Sequence, residues 1–251
     1  MKNLSPKVSV IVTFYKKSNY IKETLNSILN QTYKNFELIF VYDDEDKNDL
    51  LYVKELLQRF KKKKIIINKK NLGVAKSRNK ALKHCKGTFI SFIDADDIWK
   101  KNKLQFQINF MIKNNVIFSF TSYVVINEEN KIIKSRIVPR FTNYKNLVKT
   151  NFIGLSTVIF RKSIHSKVKF PQLKTQEDFA LWLLLVRQGI KLVPINQKLS
   201  FWRKTDNSLS SNTFQKIKDA FTLFYKLENK NFILSIFSVI TISYNKILKN
   251  I

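Results

Sequence analysis

The N-terminal part of the chain alternates short apolar runs with segments of helical periodicity, and no other feature limits the fold as strongly. Residues 8–13 are a continuous run rich in β-branched side chains, which is typical of a parallel strand buried on both faces. A helix follows, beginning at Ser18 or Asn19 and carrying its apolar residues on one stripe. The same alternation predicts strands at residues 36–42, 65–67 and 88–93 and helices at 50–60 and 74–83. Repeated strand–helix–strand units predict an α/β fold with a mostly parallel sheet.

The rhythm changes after residue 100, where the pattern favours an antiparallel extension. Strand-like residues 116–126 and 131–138 flank a predicted turn at 127–130. Trp182 lies in a strongly apolar helix predicted at 178–188, and we interpret it as a core residue. The remaining predicted elements are a helix near 104–112, strands at 157–160, 191–195 and 199–202, and a helix at 214–227. A smaller antiparallel region is therefore expected beside the parallel one.

Composition excludes fibrous, disulfide-rich and disordered classes of protein. The 251 residues are 44% hydrophobic and include only 4 Gly and 4 Pro, so the chain is able to bury a sizeable core. Its one cysteine, Cys85, allows no intramolecular disulfide, and no apolar leader precedes the first strand. These features predict a cytoplasmic protein.

The formal net charge of +28 favours an anionic partner, although Lys, Asn, Ile and Phe all have A/T-rich codons and genome base bias explains much of the lysine excess. Most of the 46 cations are lysines, scattered along predicted helix surfaces, whereas nucleic-acid readers depend on clustered arginine interleaved with aromatic residues. We therefore predict no nucleic-acid partner and favour an anionic membrane surface or an anionic substrate.

Residues 232–244 form an apolar segment near the C-terminus. They are too few to span a bilayer and are interrupted by serine and threonine. Because lysines flank the segment, it could lie on an anionic membrane as an interfacial helix. It could equally be a C-terminal helix docked on the core, and the sequence leaves both interpretations open.

Acidic residues are scarce, and two of their groups directly follow predicted strands. Asp43 follows the second strand, and Asp94, Asp96 and Asp97 follow the fourth. Ligands of open α/β sheets bind outside the carboxyl ends of the strands, so both groups are expected to face one crevice. Two carboxylates two residues apart suit a hard divalent cation that also binds phosphate oxygens.

A third acidic group, Glu177 and Asp178, begins the apolar helix at 178–188. Acidic residues in a first helical turn interact favourably with the helix dipole, which is the ordinary reason to find them there. A catalytic carboxylate is the alternative at this point of the argument.

Several blocks in order give the chain a family resemblance. They are VSVIVTFYKKSNYIKETLNSILNQTYKNFELIFVYDD, NLGVAKSRNKAL and KGTFISFIDADDIW, followed more weakly by QEDFALWLLLVRQG and FWRKTDNSLS. Over about residues 7–211 the chain resembles the family 2 glycosyltransferases. The resemblance implies the GT-A fold, which is Rossmann-like, and transfer of a sugar from a nucleotide diphosphate to an acceptor hydroxyl with inversion.

The resemblance also implies which residues bind the nucleotide sugar. Thr13 and Asp43 match positions that contact the nucleobase, and a carboxylate is a suitable acceptor for the N3–H of uracil. Arg78 matches an arginine near the nucleotide, able to hold base or phosphate, and Asp94 matches an aspartate directed at the ribose. Arg203 matches an arginine that could neutralise the diphosphate.

Metal and catalytic roles follow from the same resemblance. Asp96 matches the metal-binding aspartate of the DxD pair, Asp97 is an adjacent candidate ligand, and Asp178 matches the general base. Mn²⁺ or Mg²⁺ is the implied cofactor. The chain departs from the family at Thr205, where relatives often carry a metal-binding histidine, so that the third ligand is left to Asp206 or water.

The sequence thus predicts a metal-dependent inverting glycosyltransferase that takes a UDP-sugar and acts on a saccharide or lipid-linked saccharide in bacterial surface polysaccharide or lipo-oligosaccharide assembly. Residues 1–211 form the predicted transferase domain, with a nucleotide-binding half at 1–99 and an acceptor-binding half at 100–211. Residues 212–251 form a helical tail, and the protein is expected at the inner face of the cytoplasmic membrane.

Two other classes remain as alternatives. A sugar nucleotidyltransferase would share the sheet and the carboxylate pair, but residues 14–17 lack the glycines of a phosphate loop. A non-catalytic basic module that binds polyanions or membranes would explain the charge without explaining the ordered blocks.

Overall fold

A computed structural model describes residues 6–205 and 213–248 of the chain. The strands are β1 (Val8–Phe14), β2 (Phe36–Tyr42), β3 (Lys63–Ile67), β4 (Phe89–Asp94), β5 (Ile98–Trp99), β6 (Phe118–Ile126), β7 (Ile132–Arg136), β8 (Ile159–Arg161) and β9 (Leu192–Arg203). The helices are α1 (Ser18–Leu29), α2 (Leu50–Leu57), α3 (Val74–Leu82), α4 (Lys103–Lys113), α5 (Tyr144–Leu147), α6 (Glu177–Arg187), α7 (Thr213–Thr222) and α8 (Phe232–Leu248). A π-helical turn at Leu223–Leu227 follows α7, and two 3₁₀ turns lie at Leu155–Thr157 and Lys162–Lys167.

The described strands form one mixed sheet in the order β3-β2-β1-β4-β8-β6-β9-β5, with β7 beside β6. Strands β3, β2, β1 and β4 are parallel, as the alternating pattern predicts, and β6 also runs parallel to β9. The β6–β7 hairpin is antiparallel, as predicted, and β8 pairs antiparallel with both β4 and β6. The α/β fold class with its antiparallel extension is therefore confirmed.

Three details of the secondary structure differ from the predictions. The two strands predicted at 191–195 and 199–202 are one strand, β9, because the polar residues 196 and 197 lie in a bulge where the register with β6 shifts. Helix α2 ends at Leu57, before the predicted residue 60, and β3 begins at Lys63, before the predicted residue 65. Exposed lysines suit that strand because it lies at the sheet edge.

Helices cover both faces of the sheet and enclose a core on each. On one face α1, α2 and α4 pack against the even-numbered residues of β1. On the other face α3 and α6 pack against Ile11, Phe92 and Phe118. Trp182 of α6 is fully buried there, edge-to-face with Phe118 at 5.3 Å, which confirms its interpretation as a core residue.

Gly87 sets how closely the chain entering β4 approaches β1. A Cβ at this position would lie 2.5 Å from the backbone nitrogen of Ser9, a distance that would force the two segments apart. Glycine is therefore needed here for close backbone approach. The same contact fixes the relative height of β1 and β4, whose far ends carry the residues of the crevice.

The segment after residue 212 packs on the α6 face. Leu223 and Phe224 are fully buried in that core, and Asp219 accepts hydrogen bonds from the backbone and hydroxyl of Thr175, both at 2.8 Å. In α8, Val239 and Ile242 contact the same core, whereas much of the rest of the helix is exposed. Within 6–205 and 213–248, no helix combines the length and the apolarity needed to cross a bilayer.

Candidate active site

Three predicted site residues lie together where parallel strands end. Thr13 is the register partner of Asp94 across the β1–β4 pair. Asp43 follows β2, and its backbone nitrogen donates a hydrogen bond to the carbonyl of Phe14 at 2.8 Å. The sheet thus brings these three side chains to one edge, as expected for a crevice at the carboxyl ends of strands.

Asp43 is held by the scaffold through one carboxylate oxygen. Its Oδ1 accepts hydrogen bonds from Asn68 Nδ2 at 2.7 Å and from the backbone nitrogen of Leu72 at 2.9 Å. Asn68 is held in turn by Ser77 and Lys80. Within the described residues no hydrogen bond reaches Asp43 Oδ2, so this oxygen remains an acceptor for a ligand.

Arg78 connects two of the acidic groups. From α3 its guanidinium donates to Asp94 Oδ1 at 2.7 Å through Nη2 and to Glu177 Oε1 through Nη1, and it lies 5.4 Å from the ring centroid of Phe170. Its side chain is only 6% exposed. Arg78, predicted to contact the nucleotide, is thus placed as a buried bridge between the end of β4 and the start of α6.

Asp178 lies in the first turn of α6, next to this bridge. Its pKa is raised to about 7, first by burial and then by the neighbouring Glu177 carboxylate, and the positive charge of Arg78 opposes both effects. The residue before Glu177, Gln176, has a left-handed backbone with φ of 60°, so the helix starts at a sharp turn. At neutral pH the Asp178 carboxyl group is therefore only partly ionised.

Asp96 forms an ion pair with a lysine of the same chain, Lys17. Lys17, just before α1, places its Nζ 2.8 Å from Asp96 Oδ2 and 3.0 Å from Thr205 Oγ1. Burial raises the pKa of Asp96, Lys17 opposes this, and the nearby Asp94 carboxylate adds to it. Lys17 was not identified from the sequence, although its position beyond the end of β1 was a signal that could have found it.

Asp97 differs from its neighbours because the fold uses both of its carboxylate oxygens. Oδ1 accepts from the backbone nitrogen of Arg203 at 3.0 Å, and Oδ2 accepts from the Ser156 hydroxyl at 2.5 Å. The side chain is buried, and burial together with Asp96 and Asp94 raises its pKa well above the ordinary value. This geometry does not support the metal-ligand role predicted for Asp97 and assigns it to holding the loop.

Arg203, predicted to neutralise a diphosphate, is likewise occupied by the protein. It donates to the carbonyl of Asp96 at 2.9 Å, to Glu23 Oε2 at 2.6 Å and to the carbonyl of Glu128 at 3.1 Å. Its guanidinium lies 4.8 Å from the ring centroid of Tyr20, and its side chain is 0% exposed. Residues 94–97 are called the acidic loop below. Arg203 therefore connects the acidic loop to α1 and to the β6–β7 turn, and its side chain does not face the crevice.

The carboxylates at the crevice fit a divalent cation that takes most of its ligands from substrate phosphates and water. Asp96 offers a carboxylate, and Asp94 lies close enough to raise its pKa. Among residues 6–205 and 213–248 no group of three His, Cys, Asp or Glu side chains could hold a metal, and Asp206 lies outside the described residues. Mg²⁺ and similar ions are often bound by one or two carboxylates together with substrate phosphates and water, so the set fits that mode.

The structure thus unites Thr13, Asp43, Asp94 and Asp96 at the crevice and joins Asp178 to them through Arg78 and Glu177. Asp97 and Arg203, by contrast, bond to other parts of the fold and hold the acidic loop in place. Ser156 was missed: its hydroxyl also accepts from the backbone nitrogen of Asp94 at 3.0 Å. No sequence signal marks it, because it lies in a 3₁₀ turn remote in sequence from the loop that it holds.

Comparison with known proteins finds glycosyltransferases. Residues 9–168 match the family described as glycosyl transferase family 2. The chain is 30% identical to TuaG of Bacillus subtilis over the whole length of both proteins, and the name of TuaG assigns it provisionally to teichuronic acid biosynthesis as a glycosyltransferase. It is 35% identical to WfgD of Escherichia coli, over 84% of this chain and 82% of that protein. WfgD is named a UDP-Glc:alpha-D-GlcNAc-diphosphoundecaprenol beta-1,3-glucosyltransferase.

Solved structures share the fold at low sequence identity. The crystal structure of S. aureus TarS 1–349 with UDP-GlcNAc has a TM-score of 0.73 and 21% identity, covering 93% of this chain and 70% of that one. The mannosyltransferase PcManGT from Pyrobaculum calidifontis, solved with GDP-Man and Mn²⁺, has a TM-score of 0.67 and 16% identity, covering 91% of this chain and 66% of that one. Both matches extend over nearly the whole chain, so the expected GT-A architecture is confirmed.

Proposed function

Because the chain belongs to glycosyl transferase family 2, we propose that it moves a sugar from a nucleotide diphosphate to an acceptor hydroxyl with inversion at the anomeric carbon. The observation that carries this proposal is the Arg78 bridge between Asp94 and Glu177, which brings Asp178, the next residue of α6, close to the strand-end carboxylates. Burial raises the pKa of Asp178 to about 7. A carboxyl group with that pKa is half ionised at neutral pH and able to accept a proton from a hydroxyl. Arg78 links the start of α6 to Asp94, and this link holds the proposed base in a fixed position relative to the proposed donor site.

The proposed donor is a UDP-sugar. Its uracil N3–H would donate to Asp43 Oδ2, the oxygen that the scaffold leaves free, with Thr13 beside the base and Asp94 toward the ribose. The structures of TarS with UDP-GlcNAc and with UDP, and the UDP-Glc in the name of WfgD, support the choice of nucleotide.

The reaction proposed is a single displacement. Asp178 accepts the proton of the acceptor hydroxyl as its oxygen forms a bond to the anomeric carbon, and the bond from that carbon to the diphosphate oxygen breaks. Asp96 would hold Mn²⁺ or Mg²⁺, which when bound supplies positive charge for the leaving diphosphate. Burial raises the pKa of Glu177 and Arg78 opposes this effect, and the Glu177 carboxylate in turn raises the pKa of Asp178, which makes Asp178 a stronger base.

The proposed acceptor is a saccharide of bacterial surface polymers, free or lipid-linked. The names of TuaG and WfgD, which refer to teichuronic acid and to a diphosphoundecaprenol-linked sugar, support this class. We keep residues 1–211 as the transferase domain, with 1–99 binding the nucleotide and 100–211 the acceptor, and residues 212–251 as the tail. The site of action that follows is the inner face of the cytoplasmic membrane.

An apolar face of α8 supports such a membrane location. Val239 and Ile242 dock the helix on the core, while the exposed face carries large apolar side chains that are 39–63% exposed: Phe232, Ile233, Ile236, Phe237, Ile240 and Tyr244. We call these six residues the apolar tail surface. Exposed Lys226 precedes it in the chain, and the protein carries a net charge of +28, which suits an anionic leaflet. The docked and interfacial interpretations of this segment are therefore compatible, since they concern opposite faces.

A release assay tests the proposed function. The wild-type protein is incubated with UDP-sugars and GDP-sugars, a lipid-linked or soluble saccharide acceptor, and Mn²⁺ or EDTA, and nucleoside diphosphate is measured. We expect acceptor-dependent release of UDP from at least one donor, and a product with inverted anomeric configuration by NMR. Release of pyrophosphate or nucleoside monophosphate would indicate a nucleotidyltransferase, and binding of polyanions without any nucleotide affinity would indicate a non-catalytic module.

A further inference from the structure

We propose that Lys17 is a donor-binding residue whose ammonium group takes the diphosphate of the nucleotide and competes with a divalent cation for Asp96. This inference rests on the proposed function of the crevice. Its basis is the position of Lys17 Nζ, 2.8 Å from Asp96 Oδ2 and 3.0 Å from Thr205 Oγ1. The ammonium thus lies at the carboxylate that would hold the metal, next to the threonine that stands where a histidine ligand is expected.

The backbone places Lys17 in the crevice at a cost in strain. Lys16 has a left-handed φ of 49°, a conformation that a lysine rarely adopts outside tight turns. This turn follows β1 directly and puts Lys17 at the N-cap of α1. The ammonium of Lys17 has no acceptor with which to cap that helix, and it is directed at Asp96.

Among the described residues, Lys17, Arg78 and Arg203 are the cationic side chains that contact Asp94 or Asp96, and of these Lys17 is the most exposed. The side chain of Arg203 is 0% exposed and that of Arg78 is 6% exposed, and both are held by carboxylates or carbonyls of the fold. The side chain of Lys17 is 19% exposed, and its flexible stem ends in three donors. A diphosphate entering beside Asp94 and Asp96 meets two negative groups, so a mobile positive charge there decides whether it binds.

Lys17 and the metal would then bind the Asp96 carboxylate one after the other. Without donor, the ammonium neutralises Asp96. When the donor and a divalent cation bind, the cation takes the Asp96 carboxylate and the ammonium moves to a phosphate oxygen, where it makes a charge-assisted hydrogen bond. In the absence of metal, the three donors of the ammonium allow it to bond a phosphate oxygen while it still contacts Asp96. Two consequences follow: nucleoside diphosphate binds without metal, and Lys17 weakens the affinity of the free protein for metal.

Isothermal titration calorimetry with UDP tests both consequences. The variants are Lys17→Met, Lys17→Arg, which keeps the charge, and Lys22→Met, a matched loss of one positive charge at an exposed position on α1. In EDTA we expect Lys17→Met to lose about tenfold or more in UDP affinity, the loss of one hydrogen bond between charged groups, with smaller losses in Lys17→Arg and none in Lys22→Met. In Mn²⁺ the loss should be smaller.

Mn²⁺ binding without nucleotide, followed by electron paramagnetic resonance, gives an independent readout. Lys17→Met should bind Mn²⁺ several-fold more tightly than wild type, because a positive charge 2.8 Å from the Asp96 carboxylate is gone. UDP affinity in EDTA within twofold of wild type, or unchanged Mn²⁺ affinity, would overturn the inference and leave the proposed function intact. Absence of UDP and GDP binding by the wild type under every condition would overturn the proposed function itself. If Lys17→Met does not fold, Lys17→Gln replaces it under the same criteria.

Discussion

Replacing Asp178 by Asn changes one oxygen of the side chain to an NH₂ group and removes the ability to accept a proton near neutral pH. If Asp178 is the general base, turnover should fall by about 10²- to 10⁴-fold, the usual contribution of a positioned base. The affinities for UDP and metal should stay near wild type, because the donor is held by Asp43, Asp96 and Lys17 in the proposed arrangement. A helix-dipole role alone would leave turnover nearly unchanged.

The same substitution has a calculable effect on stability. Folding raises the pKa of Asp178 from 3.8 to about 7, so above pH 7 the folded chain carries a carboxylate that burial disfavours. At about 1.4 kcal/mol per pKa unit the cost has an upper bound of about 4 kcal/mol. Partial exposure of the side chain lowers this to about 1–2 kcal/mol, and the lost interaction with the helix dipole subtracts about 0.3–1 kcal/mol. The Asp178→Asn variant should therefore be at least as stable as wild type at pH 8.

The sign of the pH dependence follows from proton uptake. Between about pH 4 and pH 7 the folded chain keeps a proton on Asp178 that the unfolded chain has lost, so wild-type stability falls as the pH rises through this window. The Asn variant lacks this contribution, and its advantage should disappear toward pH 4. For a chain of this size about 1 kcal/mol corresponds to a Tm change of about 2–4 °C.

Two assays decide the matter, with Glu55→Gln on the exposed side of α2 as a matched carboxyl-to-amide control. UDP release at saturating donor reports the chemistry, and melting curves at pH 5 and pH 8 report the stability. Near-normal turnover in Asp178→Asn together with a lowered Tm at pH 8 would refute the general-base assignment and move the search for a base to Glu177. Glu55→Gln should leave both readouts at wild-type values.

Three further variants test other parts of the structure. Arg78→Met should lower turnover and destabilise the fold by about 3–5 kcal/mol in urea unfolding, since it leaves the buried Glu177 carboxylate and the partly exposed Asp94 carboxylate without their shared cation; a stable, active variant would contradict the bridge. Asp97→Ala should cost about 1–3 kcal/mol of stability yet keep Mn²⁺ affinity, and loss of Mn²⁺ binding at unchanged stability would make Asp97 a ligand after all. The double variant Phe237→Ser and Ile240→Ser should weaken co-sedimentation with anionic vesicles several-fold while UDP release with a soluble acceptor persists; unchanged vesicle binding would exclude the apolar tail surface.

The pattern of apolar residues in the sequence was sufficient to predict the crevice residues that directly follow strands. Short apolar runs located β1, β2 and β4, and Asp43 and Asp94 lie at one edge because parallel strands end there. The pattern could not separate Asp96 from Asp97, because neighbours in a tight turn point in opposite directions and only tertiary contacts decide which is buried. The partners that settle it, Ser156 and Arg203, come from remote segments.

Arg78 and Lys17 show a second limit of the same kind. A cation near an acidic group predicts an ion pair in general, but whether it faces ligand or fold depends on packing around it. Phe170 and Glu177 enclose Arg78, whereas Lys17 lies on the open side of a turn. Neither distinction has a signature in the order of residues.

Ser156 joins the acidic loop to the rest of the sheet before any ligand arrives. Its hydroxyl bonds Asp94 and Asp97, and its carbonyl accepts from the indole of Trp99 and from the hydroxyl of Ser200. The conformational entropy of this loop is therefore lost when the chain folds, and none of that loss is deducted from the affinity for donor. Amide protons along the loop should accordingly exchange with solvent as slowly as those of β4, even in the ligand-free protein. Any ordering that accompanies catalysis has to come from other parts of the crevice.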